Sequence, residues 1–278
     1  MTKADTNFKT LCKEILENGA NTLNQNVRPK YADGTPSYTY FINQVVEKYD
    51  LSKGELPLLT LRPVAWKSAI KEILWIYQDQ TSSLDVLEEK YGIHWWNEWE
   101  VDKTRTIGRR YGATVKRYDL MNRLLNDLKT MPYGRRNIIN LYQYQDFEET
   151  DGLFPCAMET HWNARDGFLD MTLIQRSSDV AVANAINKIQ YTALLMMVSR
   201  AVNLKPGVFC HFVQNAHIYD RHVKDVRELI ERTGQKNSEN IKFYIKPEKT
   251  DFYEFKIDDF VMENYEPQKP NFKFEMAI

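Results

Sequence analysis

Residues 187–202, NKIQYTALLMMVSRAV, read as a helix that is apolar nearly all the way round. Such a helix is a core element, because it has no polar face to give to water. Whatever this chain folds into has to cover it on every side, and both kinds of element are on hand to do so. FLDMTLIQRSSD (168–179) alternates in part and carries a strand signature, and GVFCHFVQNAHIY (207–219) looks like another strand. Phe8, Leu11, Ile15 and Leu16 fall at helical spacing before Asn18-Gly19 ends the run. WKSAIKEILWIY (66–77) is amphipathic, with Ile70, Ile73, Leu74 and Tyr77 on adjacent faces. DLMNRLLNDLKTM (119–131) and DRHVKDVRELIERTG (220–234) are further amphipathic helices, the last with a glycine stop.

Between these lie a loop at 26–38 with an Asp33-Gly34 turn, and a dense aromatic stretch, GIHWWNEW (92–99), expected as a loop or short helix. PYGRRNIINLYQY (132–144) turns from a basic tip into a strand-like run, and residues 242–265 suggest short strands. No repeat, low-complexity tract or linker interrupts the order, and no regular βαβ rhythm appears. The expectation is a single α+β domain over residues 1–278.

Charge and cysteine content narrow the function. A net charge of −1 gives no overall field for nucleic acid, so an anion site has to be built from a few local Arg or Lys side chains. The three cysteines, Cys12, Cys156 and Cys210, lack C-x-x-C spacing, which argues against a disulfide framework and a structural zinc site. The first residues lack a signal peptide's apolar stretch and no run approaches a transmembrane span. A soluble, reduced, cytoplasmic protein with no metal is expected.

Cys156 follows a proline in GLFPCAMETHW (152–162), and buried thiol, metal ligand and nucleophile are all open for it. A nucleophile needs cations nearby to lower its pKa. Arg135, Arg136 and Arg176 are candidates, Arg176 with a hydroxyl beside it in QRSSD. Each alone would pass for a surface charge. His217 and Tyr219 alternate at a strand end, facing one ligand or one core. Glu72 lies amid the apolar face of its helix and either reaches solvent or is buried for proton transfer. Trp95, Trp96 and Trp99 can stack on a flat heterocycle or simply fill a core. The residues alone reach a candidate cysteine nucleophile, an arginine anion site and an aromatic wall, and so a phosphorylated substrate.

The order of motifs resembles the folate-dependent thymidylate synthase family: PC at 155–156, QRSSD at 175–179, Asn187 and HIYDRH at 217–222. Upstream, EILW (72–75), WNEW (96–99), YG (111–112), YGRR (133–136) and the loop containing Arg28 also match, as does the closing FEMAI. The resemblance implies a large mixed sheet flanked by helices, and a homodimer. It implies that Cys156 attacks C6 of dUMP, so that C5 can take the one-carbon unit of 5,10-methylenetetrahydrofolate, with dihydrofolate as second product. Arg28, Arg176 and Ser177 match the phosphate cradle, with Arg135 and Arg136 supplied by the partner subunit, and these guanidiniums should favour thiolate at Cys156.

By the same resemblance, His217 and Tyr219 bind the deoxyribose 3′-hydroxyl and Asn187 reads the uracil edge. Glu72 relays protons and Tyr111 assists removal of the C5 proton. Asp179 bonds the pterin, Trp96 and Trp99 line the folate site with Ala183 nearby, Arg62 meets the glutamate tail, and Ile278 closes over the site. No metal, membrane or obligatory nucleic acid is implied.

The chain departs from the family pattern at several points. Ala157 stands for a histidine and His161 for a glutamine. Ala183, Ala185 and Ile186 stand for Gly, Pro and Phe. Gln214 and Asn215 stand for Gly-Asp, and Thr114 and Val115 replace the usual pair after YGA's position. Ala183 adds a methyl group where backbone and folate meet. These changes leave two alternatives: a deoxyuridylate hydroxymethylase, in which water captures the shared intermediate, and a dUMP-binding regulator without turnover.

Overall fold

The computed structural model describes residues 1–278 except Asp151 and Pro247. Along the chain run α1 (Lys3–Asn18), β1 (Ala20–Asn21), β2 (Thr39–Asp50), α2 (Trp66–Tyr77), α3 (Leu84–Tyr91), α4 (Gly112–Arg117), α5 (Leu120–Thr130) and β3 (Ile138–Asn140). There follow α6 (Tyr144–Glu149), β4 (Ala157–Arg165), β5 (Phe168–Gln175), β6 (Ser178–Asp179), α7 (Asn184–Ala201), β7 (Lys205–Tyr219), α8 (Val223–Glu231), β8 (Lys242–Ile245) and β9 (Phe260–Glu263). A large mixed sheet runs in the order β1-β2-β7-β5-β4-β3, with β6 added alongside β7; β8 and β9 form a separate pair.

The apolar helix is α7, and it is covered as its composition demands. It packs on β5 and β7 from one side and on α2 from another. Ile189, Leu194, Leu195, Met197 and Val198 are fully buried. Opposite, Ile70, Ile73, Leu74 and Tyr77 of α2 are buried as their spacing predicts. At the other flank α1 packs on β2 and α8. It starts with a capping box, in which the Thr2 hydroxyl accepts from Asp5 N and the Asp5 carboxylate accepts from Thr2 N. It ends at Gly19, where a Cβ would sit 2.3 Å from the Ile15 carbonyl oxygen.

Pairing determines where the site forms. β5 and β7 run parallel, from Phe168 opposite Lys205 to Gln175 opposite Val213, so both deliver their C-terminal ends to one edge. β4 runs antiparallel to β5 with Ala157 opposite Gln175, which returns the start of β4 to that edge. β6 sets Asp179 opposite His217. Cys156, Arg176, Asp179, His217 and Tyr219 are thereby gathered although 63 positions separate the first and last.

Six elements were not foreseen, among them the two-residue β1 and the six-residue α4. β2 shows little alternation, because its middle carries Asn43 and Gln44, the latter at φ 61, and side chains there are exposed. β4 likewise carries polar side chains through its length, and α3 and α6 are short. Among the described residues no helix is long and apolar enough to cross a membrane.

Candidate active site

At the C-terminal ends of β5 and β7 the chain encloses a cavity of about 710 Å³. Its wall takes in Arg28, Glu72, Trp96, Trp99, Tyr111, Cys156, Arg176, Ser177, Asp179, Ala183, Asn187, His217, Tyr219 and Ile278. Most of the residues expected from sequence are thus brought together.

Cys156 lies just ahead of β4, in a turn that Arg176 straps down. Arg176 Nε donates to the Pro155 carbonyl at 3.0 Å and Nη2 to that of Phe154 at 2.7 Å. The same Nη2 stands 3.5 Å from Cys156 Sγ. Cys156 N–H donates to the Tyr111 hydroxyl at 3.1 Å. Burial pushes the thiol pKa up, while Arg176 and then Arg28 pull it back. The expected cationic effect is present, but within one chain burial outweighs it. Arg135 and Arg136 take no part, because both are exposed at the tip between α5 and β3, away from the cavity wall.

Glu72 is buried on α2, and burial raises its carboxyl to about 7. Trp95 Nε1–H donates to its Oε2 at 2.6 Å. Gln190 and Trp96 also lie near enough to pull the pKa part of the way back. Yet Trp96 Nε1 and Gln190 Nε2 are buried with no hydrogen-bond partner among the described residues. A carboxyl that titrates near neutrality can both give and take a proton.

Tyr111 sits at φ 47, a region costly for a side-chain-bearing residue, and its ring packs edge-on against Trp96 at 5.2 Å. His217 Nδ1 lies 3.1 Å from Asn215 Oδ1, an oxygen that only accepts, so Nδ1 carries the proton and Nε2 is left as an acceptor. Burial lowers the His217 pKa, with Asp179 opposing. Asn215, one of the departures, therefore still orients the imidazole without a carboxylate.

Asp179 Oδ1 accepts from the amides of Ala181 (2.9 Å) and Val182 (3.2 Å), which shapes the turn into α7. Arg62 lies beneath that turn, buried, with Nη2 donating to the Ala181 carbonyl at 2.6 Å. It supports the turn from below and is not on the cavity wall. The last residues cross the mouth: Ile278 N donates to Lys30 O at 2.9 Å, and Lys30 N to Ile278 O at 2.7 Å. Arg221 ties Glu275 (2.9 Å) to Asp33 (2.7 Å) beside them.

Sequence reasoning passed over Gln175, Gln190 and His211. Gln175 is the first letter of QRSSD, and Gln190 is polar on an otherwise apolar helix three residues after Asn187. Both signals were available. His211 had none, being one polar residue inside an apolar strand.

Fold and site together define an α+β protein with a half-buried thiol, Cys156, in a cavity whose wall includes both guanidinium and indole side chains. The thymidylate synthase family model matches residues 6–278. A thymidylate synthase of Streptococcus pneumoniae is 49% identical over the full length of both chains, and one of Streptococcus pyogenes serotype M3 is 47% identical over the same extent. The solved structure of thermostable thymidylate synthase A from Bacillus subtilis matches with a TM-score of 0.92 at 32% identity, covering all of both chains. This chain belongs to the thymidylate synthase family.

Proposed function

We propose that this protein converts dUMP to dTMP by reductive methylation with 5,10-methylenetetrahydrofolate, in one catalytic domain over residues 1–278. The observation that carries the reading is Cys156 Sγ 3.5 Å from Arg176 Nη2, in the cavity that also holds Glu72 and Asn187. The Cys156 thiolate adds to C6 of the uracil ring. The C5–C6 π electrons move toward O4, where Asn187 meets the growing charge, and C5 becomes a carbon nucleophile. Arg28, Arg176 and Ser177 hold the phosphate, and His217 with Tyr219 hold the sugar. Glu72 moves protons near O4, and Tyr111 takes part in removing the C5 proton. Loss of that proton expels the folate nitrogen from the one-carbon unit and leaves an exocyclic methylene on C5. Hydride from the folate then adds to that methylene, and the electron pair returned through C5 pushes Sγ off C6 and restores the ring.

The folate supplies the one-carbon unit and the hydride. The cavity suits its pterin, since Trp96 Nε1 is a buried donor without a partner among the described residues and Trp99, Ala183 and Ile278 add apolar wall. Asp179 is the carboxylate for the ring. Arg62 serves that end by supporting the 181–182 carbonyls instead of meeting the glutamate tail.

Arg135 and Arg136 complete the phosphate cradle of a second subunit. Their exposure, with no place in their own cavity, supports a homodimer. A cytoplasmic location fits the bacterial relatives.

The test is the mass of the nucleotide formed from dUMP and methylenetetrahydrofolate, with dihydrofolate absorbance followed in parallel. One dihydrofolate per methylated nucleotide is expected. A hydroxymethylated nucleotide without dihydrofolate would replace this reading with the hydroxymethylase, and no product at all with the regulator; the relatives favour the synthase.

A further inference from the structure

A line of buried amides runs from beneath the sheet to the cavity wall. His211 Nε2 lies 2.8 Å from Gln175 Oε1. Gln175 Nε2 donates to Asn187 Oδ1 at 3.0 Å. Asn187 Nδ2 donates to Gln190 Oε1 at 2.9 Å. His211, Gln175 and Gln190 are each no more than 2% exposed; the His211–Gln175 bond is buried from water, and the two bonds to Asn187 are partly buried at the cavity wall. Gln190 ends beside Glu72.

An amide has two unlike ends, and in a chain of amides each orientation dictates the next. A carbonyl oxygen only accepts, so the contact with Gln175 Oε1 requires the proton of His211 on Nε2. Gln175 then shows its N–H to Asn187, and Asn187 has to turn its oxygen inward to receive it. An amide oxygen has two lone pairs and an amide nitrogen two hydrogens. After the inner bonds, Asn187 keeps one acceptor site and one donor site. Uracil offers N3–H and O4, which need that acceptor and that donor, whereas cytosine offers a bare N3 and an amino group. Were the histidine proton on Nδ1, every amide in the line could reverse, and the same asparagine would suit cytosine.

We propose that His211 is a positioning residue for base choice, its Nε2–H holding Gln175 and Asn187 in the orientation that accepts uracil and rejects cytosine. This rests on the reading of Asn187 as the residue that meets the base edge.

The surroundings keep the imidazole in that single-proton form. Burial, aided by the Lys188 ammonium, holds its pKa down at about 3, against the pull of Glu47. Lys188 and Glu47 form a buried ion pair at 2.6 Å, to which Tyr49 adds a hydroxyl donor at 2.9 Å. His211 Nδ1 is buried without a hydrogen-bond partner among the described residues, so nothing competes for a proton there. Glu72, as an acceptor at the far end, favours the same direction for Gln190.

The experiment measures kcat/KM for dUMP and for dCMP in the full-length protein carrying H211F, H211Q and N187D. H211F keeps an aromatic ring and removes the donor. It should lower the dUMP-to-dCMP ratio about tenfold or more, mainly through KM for dUMP, because a buried acceptor is left unpaired and the amides can turn. H211Q reaches the same point with an N–H and should restore most of the ratio. An unchanged ratio in H211F, or an equal loss in H211Q, overturns the proposal. N187D separates the two readings: if it leaves the ratio unchanged, Asn187 does not read the base; if it shifts the ratio while H211F does not, only the role of His211 fails. The tautomer can be read without any variant folding, from the 15N shifts of the wild-type imidazole at neutral pH. A protonated Nε2 with bare Nδ1 is required, and the opposite tautomer overturns the proposal.

Discussion

Replacing the thiol in Cys156→Ala should abolish product formation and leave dUMP binding measurable by calorimetry. The cradle and base contacts do not depend on sulfur. Retained turnover would remove Cys156 from the chemistry. Arg176→Ala tests how the thiol is tuned. The guanidinium 3.5 Å away favours the charged form, so its loss should raise a pKa that burial has already raised. The thiolate fraction at a given pH falls, and alkylation by iodoacetamide should slow roughly fivefold or more. An unchanged alkylation rate would mean Arg176 acts only as a strap. At this scale the sequence was most informative where chemistry sits in contiguous letters, as in PC, QRSSD and HIYDRH. It was least informative for Arg62, which the resemblance sets at the folate glutamate tail and whose buried guanidinium donates to the Ala181 carbonyl. His211 and Gln190 gain meaning only from pairing and packing that bring Gln175 between them.

Helix α2 carries a carboxyl into the core, and that has a pH signature. Glu72 titrates at about 7 in the fold against an ordinary 4.5, so the native state holds its proton more tightly than the unfolded chain. Its contribution to stability is greatest below pH 4.5 and is lost as pH rises through 7. Glu72→Gln, which cannot ionise, should gain roughly 1–3 kcal/mol relative to the parent at pH 8, with little relative gain at pH 4. Melting curves at the two pH values check this, and a parallel offset at both would show that the carboxyl does not titrate as described. The same variant should lose most of its turnover. Amphipathic helices such as α5 and α8 were legible because one face is buried and the other is exposed. Strands β2 and β4 were not, because the outer face of the sheet is only half-exposed in places and carries mixed side chains, which blurs the period-two pattern.

For the molecule as a whole, the decisive test is complementation between subunits. Arg136→Ala chains and Cys156→Ala chains should each be inactive alone. Mixed and allowed to exchange, they should recover about a quarter of wild-type activity, since half the dimers are hybrids with one complete site each. No recovery despite proven exchange would mean the arginines do not cross between subunits. The family and its mixed sheet were legible in the order of motifs. The strand order was not, because parallel pairing of β5 with β7 depends on α7 crossing between them, which no local pattern encodes. That pairing also bears on how the protein is made. The strand at the centre of the sheet, β7, is the last of its strands to leave the ribosome, after β2 has waited through more than 150 residues for its neighbour. Until residues 205–219 emerge, β2 and β5 expose unpaired edges. A chain stalled before that point holds Cys156 and Arg176 but neither His217 nor Tyr219, so synthesis yields either a finished pocket or a sticky fragment for the cell's quality control to clear.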